Sequence, residues 1–218
     1  MDSLPGPFLL LFGLGLLGLA PFIAVLVSAY IKIVVVLYIL RNALGLPQVP
    51  PNLAINGLAI ILSLFIMAPV GSQGMANFRA HGVALDDFRH PDYLPALRDA
   101  AAPLRDFLDR HSDRAERRFF TEATGRLWPG GQGPRLGEDH LLVLLPAFVI
   151  SQLKSAFEVG FLLYLPFVVI DIIVSNILLA MGMIMVSPIM ISLPFKILLF
   201  VMVDGWARLI HGLVLSYQ

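Results

Sequence analysis

The sequence predicts an all-α membrane protein, with kinked helical hairpins in two apolar blocks and a small helical hydrophilic domain inserted between them. Three observations carry that prediction. The chain of 218 residues is 58% hydrophobic and only 14% charged, against about 25% charged in an ordinary soluble domain. Of its fifteen basic and fifteen acidic residues, twenty-one fall between Arg79 and Asp139. The flanking sequence holds uncharged stretches near the roughly 20 residues that a bilayer-crossing helix needs. Three segments follow: an N-terminal membrane or hairpin block at 1–70, a hydrophilic helical domain at 71–140, and a C-terminal hairpin block at 141–218.

In the first block the uncharged stretch from Ser3 to Ile31 is long enough to span, and Pro21 within it is expected to kink or break the helix. A cleaved leader fits poorly: Asp2 stands where a basic n-region belongs and the apolar stretch is too long. Gly45, Pro47 and the Pro50-Pro51 pair make the run from Arg41 to Asn52 a connecting loop. A second apolar stretch runs from Leu53 to Val70. Lys32 and Arg41 flank the loop, and basic residues favour the cytoplasmic side. That places the loop in the cytoplasm and the chain from Gly71 onward outside.

The hydrophilic domain carries Leu97, Ala101, Leu104, Leu108, Ala115 and Phe119 at helical spacing. Asp113 and Glu116 form a capping pair that can restart a helix after Ser112. Trp128 to Pro134, rich in glycine and proline, reads as a flexible exit loop. Acidic and basic residues alternate through the domain, which describes a solvated surface better than a binding stripe. The charges cancel over the whole chain, so no net field attracts nucleic acid.

The second block is interrupted by Lys154, Glu158, Asp171, Lys196 and Asp204. A charge at the bilayer centre costs at least about 2.5–3.5 kcal/mol on insertion scales. Simple lipid-facing spans are therefore disfavoured, and hairpins or broken helices sheltered by other protein or by water are expected. Pro146, Pro166, Pro188 and Pro194 mark expected kinks or helix ends. Lys154 and Glu158, four apart, share a helix face. They can pair with each other, with a neighbouring subunit or with Arg41, and an ion couple holding helices in register is favoured over a proton relay. Asp171 is a candidate functional carboxylate by its apolar setting, or equally a helix N-cap after Pro166. Met181, Met183 and Met185 precede Ser187-Pro188. Taken alone they read as apolar filler, and the sharper alternative is an adaptable hydrophobic constriction.

Several chemistries are absent. Without cysteine there is no disulfide, thiolate metal site or thiol nucleophile. No phosphate-binding glycine loop, zinc-protease or serine-hydrolase motif is present. The five histidines, His81, His90, His111, His140 and His211, lack metal-ligand spacing and read as surface or cap residues. No enzyme, cofactor or metal is expected. Gly13, Gly15 and Gly18 read as sites of close helix packing.

Several stretches resemble one family, the SctR proteins of virulence-type secretion, with flagellar FliP as the sister branch. They are Arg41-Asn42-Ala43-Leu44-Gly45, Val49-Pro50-Pro51-Asn52, Leu145-Pro146-Ala147-Phe148 and Leu153-Lys154-Ser155-Ala156-Phe157. The similarity continues through Gly160–Phe167, Ala180-Met181-Gly182-Met183, Ile191–Lys196 and Val203-Asp204-Gly205-Trp206. The matches cover both apolar blocks in order, whereas the hydrophilic domain matches in size and helical character only.

The resemblance implies an inner-membrane subunit of the type III secretion export apparatus. In the family several copies assemble with SctS-like and SctT-like membrane subunits into a helical pore through which unfolded protein substrates are exported. A large SctV-like protein surrounds that pore, which also helps nucleate the needle or inner rod. The family's methionine-rich loop seals the closed pore and maps onto Met183 and Met185, beside Met181. Ile184 and Val186 stand where relatives often have methionine, which keeps the gasket hydrophobic but less methionine-specific. The resemblance also implies a periplasmic hydrophilic domain and a complex sitting largely above the bilayer. Arg41, Lys154, Glu158, Asp171, Lys196 and Asp204 are then expected as inter-subunit or buried polar residues. A reading from another class remains: a proton-coupled transporter or channel with Asp171, Glu158 and Lys154 on its ion path. No inverted repeat supports it.

Overall fold

The computed structural model of the chain describes residues 7–84, 86–87, 90–127 and 136–218. The expected exit loop from Trp128 to Pro134 and the Asp2 end of the chain lie outside the described residues. The elements are α1 (Pro7–Leu26), α2 (Tyr30–Ala43), α3 (Asn52–Ala80), α4 (Tyr93–Ala100), α5 (Ala102–Arg110), α6 (Arg114–Leu127), α7 (Leu141–Ala180), α8 (Pro188–Met202) and α9 (Gly205–Leu215). No strand occurs among the described residues. Helices α3 and α7 are each long and apolar enough to cross a membrane, and two bent pairs, α1 with α2 and α8 with α9, bring the possible spans to four.

Helix α2 is the centre of the molecule. Its run Ile33-Val34-Val35-Val36 is β-branched, a composition that favours strands in water. An apolar surrounding reverses that preference, because a helix satisfies every backbone group within its own segment. The buried positions Ile33, Val36, Leu37 and Leu40 follow helical spacing, and Ile55 and Ala59 of α3, Ala156 of α7 and Leu209 and Leu213 of α9 close around them. Gly160 of α7 lets the two backbones approach: a Cβ there would meet Ile39, with its Cβ only 3.2 Å away.

Proline does less to this chain than its sequence suggests. Helix α1 runs through Pro21, and the break comes at 27–29, where the axis turns by 70° into α2. Ser28 sits at the corner, accepting from the Tyr30 amide at 3.4 Å and donating to the Val25 carbonyl at 3.3 Å. Helix α7 likewise passes through Pro146 and Pro166 for 40 residues. The missing donors are tolerated where neighbouring helices and side chains re-satisfy the freed carbonyls. Of the four prolines expected to mark kinks or ends in the second block, Pro188 marks a helix start, at the first turn of α8, and Pro194 lies inside that helix. Among the described residues, no other helix of this chain packs closely on Gly15 or Gly18.

The hydrophilic segment folds as three short helices, with the long α3 reaching into it as far as Ala80. Its packing differs from the spacing read in sequence. Leu108 and Phe107 are buried, whereas Leu97 and Phe119 are exposed. The register that wins is set by α7: Phe107 and Leu108 close on Leu144 and Phe148. His140 caps α7, its ring Nδ1 accepting from the Leu142 amide at 3.2 Å. His111 is half-buried against the Phe107 and Tyr217 rings, and burial holds its imidazole below the usual histidine range, with Arg110 and Lys32 adding to the effect.

Three polar contacts fasten this segment to α7. Gln152 donates to the His111 carbonyl at 3.0 Å, and Ser151 Oγ accepts from the Asp113 amide at 2.8 Å. Asp113 takes the Ala115 amide at 3.0 Å as the start of α6 and the Lys154 ammonium at 3.0 Å. The Ala115 amide first, and Lys154 second, hold the Asp113 carboxyl below its ordinary range. Because the folded carboxyl is the stronger acid, its contribution is complete above the ordinary carboxylate range and is lost as pH falls through the lowered value. Amide exchange at 114–117, corrected for intrinsic rates, is therefore expected to accelerate in that acid window. Asp113→Asn should remove the pH dependence, and an unchanged profile in the variant would count against this role.

Candidate functional site in the second hairpin

The informative geometry lies in α7 and α8, which run antiparallel as a hairpin around a tip at 181–187. Helix α7 stops there through its backbone. Gly182 takes φ +72°, its amide bonds the Leu179 carbonyl at 3.0 Å, and the Met183 amide bonds the Leu178 carbonyl at 2.9 Å. This closes the last turn in the left-handed cap that glycine adopts without strain. The same cap ends α2 at Gly45, φ +77°. Between Gly182 and Pro188 no side chain faces a core. Met185 is 100% exposed and Ile184 81%, with Met181 and Met183 also exposed. Burying each such side chain is worth about 1.5–3 kcal/mol, so the tip is an apolar cluster held in the open.

Below the tip an ion pair joins the two limbs. Asp171 lies in the interior of α7 and is not a helix N-cap. One carboxylate oxygen accepts from Lys196 Nζ of α8 at 2.6 Å and the other from Ser192 Oγ at 2.6 Å. Lys196 is buried and also donates to the Ala43 carbonyl, at 3.1 Å. That oxygen is one of the C-terminal carbonyls of α2 that the Gly45 cap leaves unpaired. A single ammonium thus ties three helices together, with Ser192 wholly buried beside it.

The remaining expected polar residues are dispersed. Lys154 pairs with Asp113 and not with Glu158. Glu158 is exposed and forms no ion pair among the described residues. Arg41 donates to Asn52 Oδ1 at 2.7 Å and to the Pro50 carbonyl at 3.3 Å, stacking over Tyr38, so it braces the loop after α2. Asp204 is exposed at the α8–α9 break in the left-handed region, φ 52°, which Asp tolerates better than most residues. Of the six candidates, then, Asp171 and Lys196 alone come together. Among the described residues no group of three or more acids or histidines is placed to hold a metal ion.

Sequence reasoning used Lys32 for orientation alone and passed over Tyr217. Lys32 is buried, donating to Ser216 Oγ at 2.9 Å and lying over the Tyr217 ring. The Tyr217 hydroxyl donates to Gln152 Oε1 at 2.6 Å, and its ring stacks on Phe107. One lysine in apolar sequence was a usable signal; a tyrosine among other aromatics was not.

The comparison that decides the family is with the FliP family, whose model matches residues 13–213. The chain belongs to the FliP family. Among the relatives of this FliP-family chain is the Yop proteins translocation protein R of Yersinia pestis, 52% identical over 100% of this chain and 99% of its own length. The hypersensitivity response secretion protein HrcR of Ralstonia nicotianae is 47% identical, covering 93% of each chain. The virulence protein YscR of Salmonella typhimurium is 46% identical over 99% of this chain and all of its own length. Within the FliP family the chain therefore sides with the SctR-type branch.

Proposed function

We propose that this chain is a core structural and gating subunit of a type III secretion export gate, forming with other subunits a pore for unfolded protein substrates. It acts by assembly and closure, with no catalytic chemistry of its own. The names of the relatives, a translocation protein and a secretion protein, support the secretion role. The observation that supports gating is the hairpin tip, where Met183, Ile184 and Met185 stand uncovered on a backbone turn anchored by Gly182. Several such tips meeting around an axis would bury one another and exclude water, closing a pore by dewetting. Unbranched methionine suits that task because it re-packs around varied surfaces.

The partners in this reading are further copies of the chain, SctS-like and SctT-like membrane subunits, an SctV-like export protein, and needle or inner-rod subunits. The membrane is the bacterial inner membrane, with 71–140 on the periplasmic side. Asp171 supports this reading over an ion path, since both its oxygens are already held by Lys196 and Ser192 within the chain.

The test replaces Met183 and Met185 together with glycine and measures ion leak across the membrane of cells expressing the complete apparatus. Leak is expected to rise about tenfold or more, as each lost methionine removes roughly 1.5–3 kcal/mol of apolar burial from the closed state. Unchanged permeability in normally assembled complexes would overturn the gate assignment.

A further inference from the structure

We propose that the cavity between α2, α7, α8 and α9 is a binding site for one anionic phospholipid, whose phosphate is held by Lys32, with Arg208 a second cation on the lining. The cavity measures about 540 Å³, within the roughly 300–1,000 Å³ of small-molecule sites. Its walls are hydrocarbon, formed by Leu163, Phe167, Leu199, Phe200 and Leu213, while Lys32, Arg208 and Ser216 supply polar groups on its lining. The two chemistries together describe an amphiphile: acyl chain against the apolar wall, head group at the cations.

The cations are what require an anion there. Lys32 is 6% exposed, and an ammonium has three donors. Ser216 Oγ takes one of them, and the Tyr217 ring lies 4.9 Å from the nitrogen. Lys32 forms no ion pair among the described residues. Arg208 likewise forms no ion pair among the described residues. A buried charge is costly unless it is paired, and the buried Lys32, with the exposed Arg208 adding positive charge to the lining, favours a phosphate, which accepts several charge-assisted hydrogen bonds at once. Basic pockets between membrane helices hold anionic lipid head groups on this principle.

The test is native mass spectrometry of the full chain released from nanodiscs holding equal amounts of phosphatidylglycerol and phosphatidylcholine with matched acyl chains. The parent protein is expected to retain phosphatidylglycerol about tenfold over phosphatidylcholine, because the choline ammonium would bring a further cation beside Lys32 and Arg208. Lys32→Gln, which keeps a hydrogen-bonding head beside Ser216, should remove most of that preference. Arg208→Gln should do so from an exposed position where folding is not at issue, while Lys32→Arg should preserve it. Equal retention of the two lipids by the parent, or a preference unchanged in both glutamine variants, overturns the proposal. A carbodiimide cross-link joining Lys32 to a carboxylate of another chain also overturns it, because protein would then occupy the cavity.

Discussion

Lys196→Ala is expected to destabilise the chain by about 3 kcal/mol or more, the usual consequence of removing one partner from a buried ion pair. The Lys196 side chain is 4% exposed and that of Asp171 31%, so water relieves only part of the loss. Two groups are stranded at once, the Asp171 carboxylate and the Ala43 carbonyl, and the link that Lys196 makes between α2 and the hairpin is lost. Asp171→Asn should cost less, because Ser192 can still donate to the amide oxygen. Replacing the pair by Lys196→Met with Asp171→Leu should recover much of the loss, since packed apolar residues often match a buried pair in stability. Thermal unfolding of the detergent-solubilised protein checks all three. Full stability of Lys196→Ala would show that the pair holds nothing in place. If Asp171→Asn kept full stability yet abolished a proton flux, the transporter reading would return.

Gly205→Ala is expected to cost about 1–3 kcal/mol by overpacking. A Cβ at this position would sit inside contact distance of the Phe200 ring, with its Cζ at 2.7 Å. Phe167 and Trp206 hold the buried ring on two sides, at centroid distances of 6.3 and 5.5 Å, so it yields only toward the neighbouring cavity. The position is the first residue of α9, directly after the left-handed Asp204, where α8 turns by 61°. An extra methyl group therefore opens the bend as well as crowding the core. Phe200→Leu alone leaves a cavity and should also destabilise. Combined with Gly205→Ala it should cost less than the two losses added together, because the smaller side chain accepts the methyl. Simple additivity in thermal unfolding would exclude this contact as the reason glycine stands there.

The membrane character and the hairpin of the second block could be read from where the charges stop and start. The buried face of α2 could not. Nearly every residue from Tyr30 to Leu40 is apolar, so helical periodicity carries no contrast, and only packing against α3, α7 and α9 selects Ile33, Val36, Leu37 and Leu40. Pro21, Pro146 and Pro166 do not end their helices, because the surroundings override the local preference to stop there. Lys196 and Asp171 were visible as charges in apolar sequence, but 25 residues of chain separate them, and no local pattern joins them. The glycine caps at Gly45 and Gly182 needed the φ angles to be recognised.

Helix α7 is 40 residues long, which at 1.5 Å per residue is about 60 Å. The hydrocarbon of a bilayer is about 30 Å deep, and Phe157, Phe161, Ile172, Ile173 and Leu179 all lie bare along the helix. Lipid alone cannot cover such a rod, and water is a poor solvent for what remains. The chain therefore has no comfortable solitary state, and its cellular level is expected to follow the supply of whatever shields it. Copies made beyond that supply become substrates for membrane proteases or seeds for clumping, so balanced synthesis is a physical requirement written into the length of one helix.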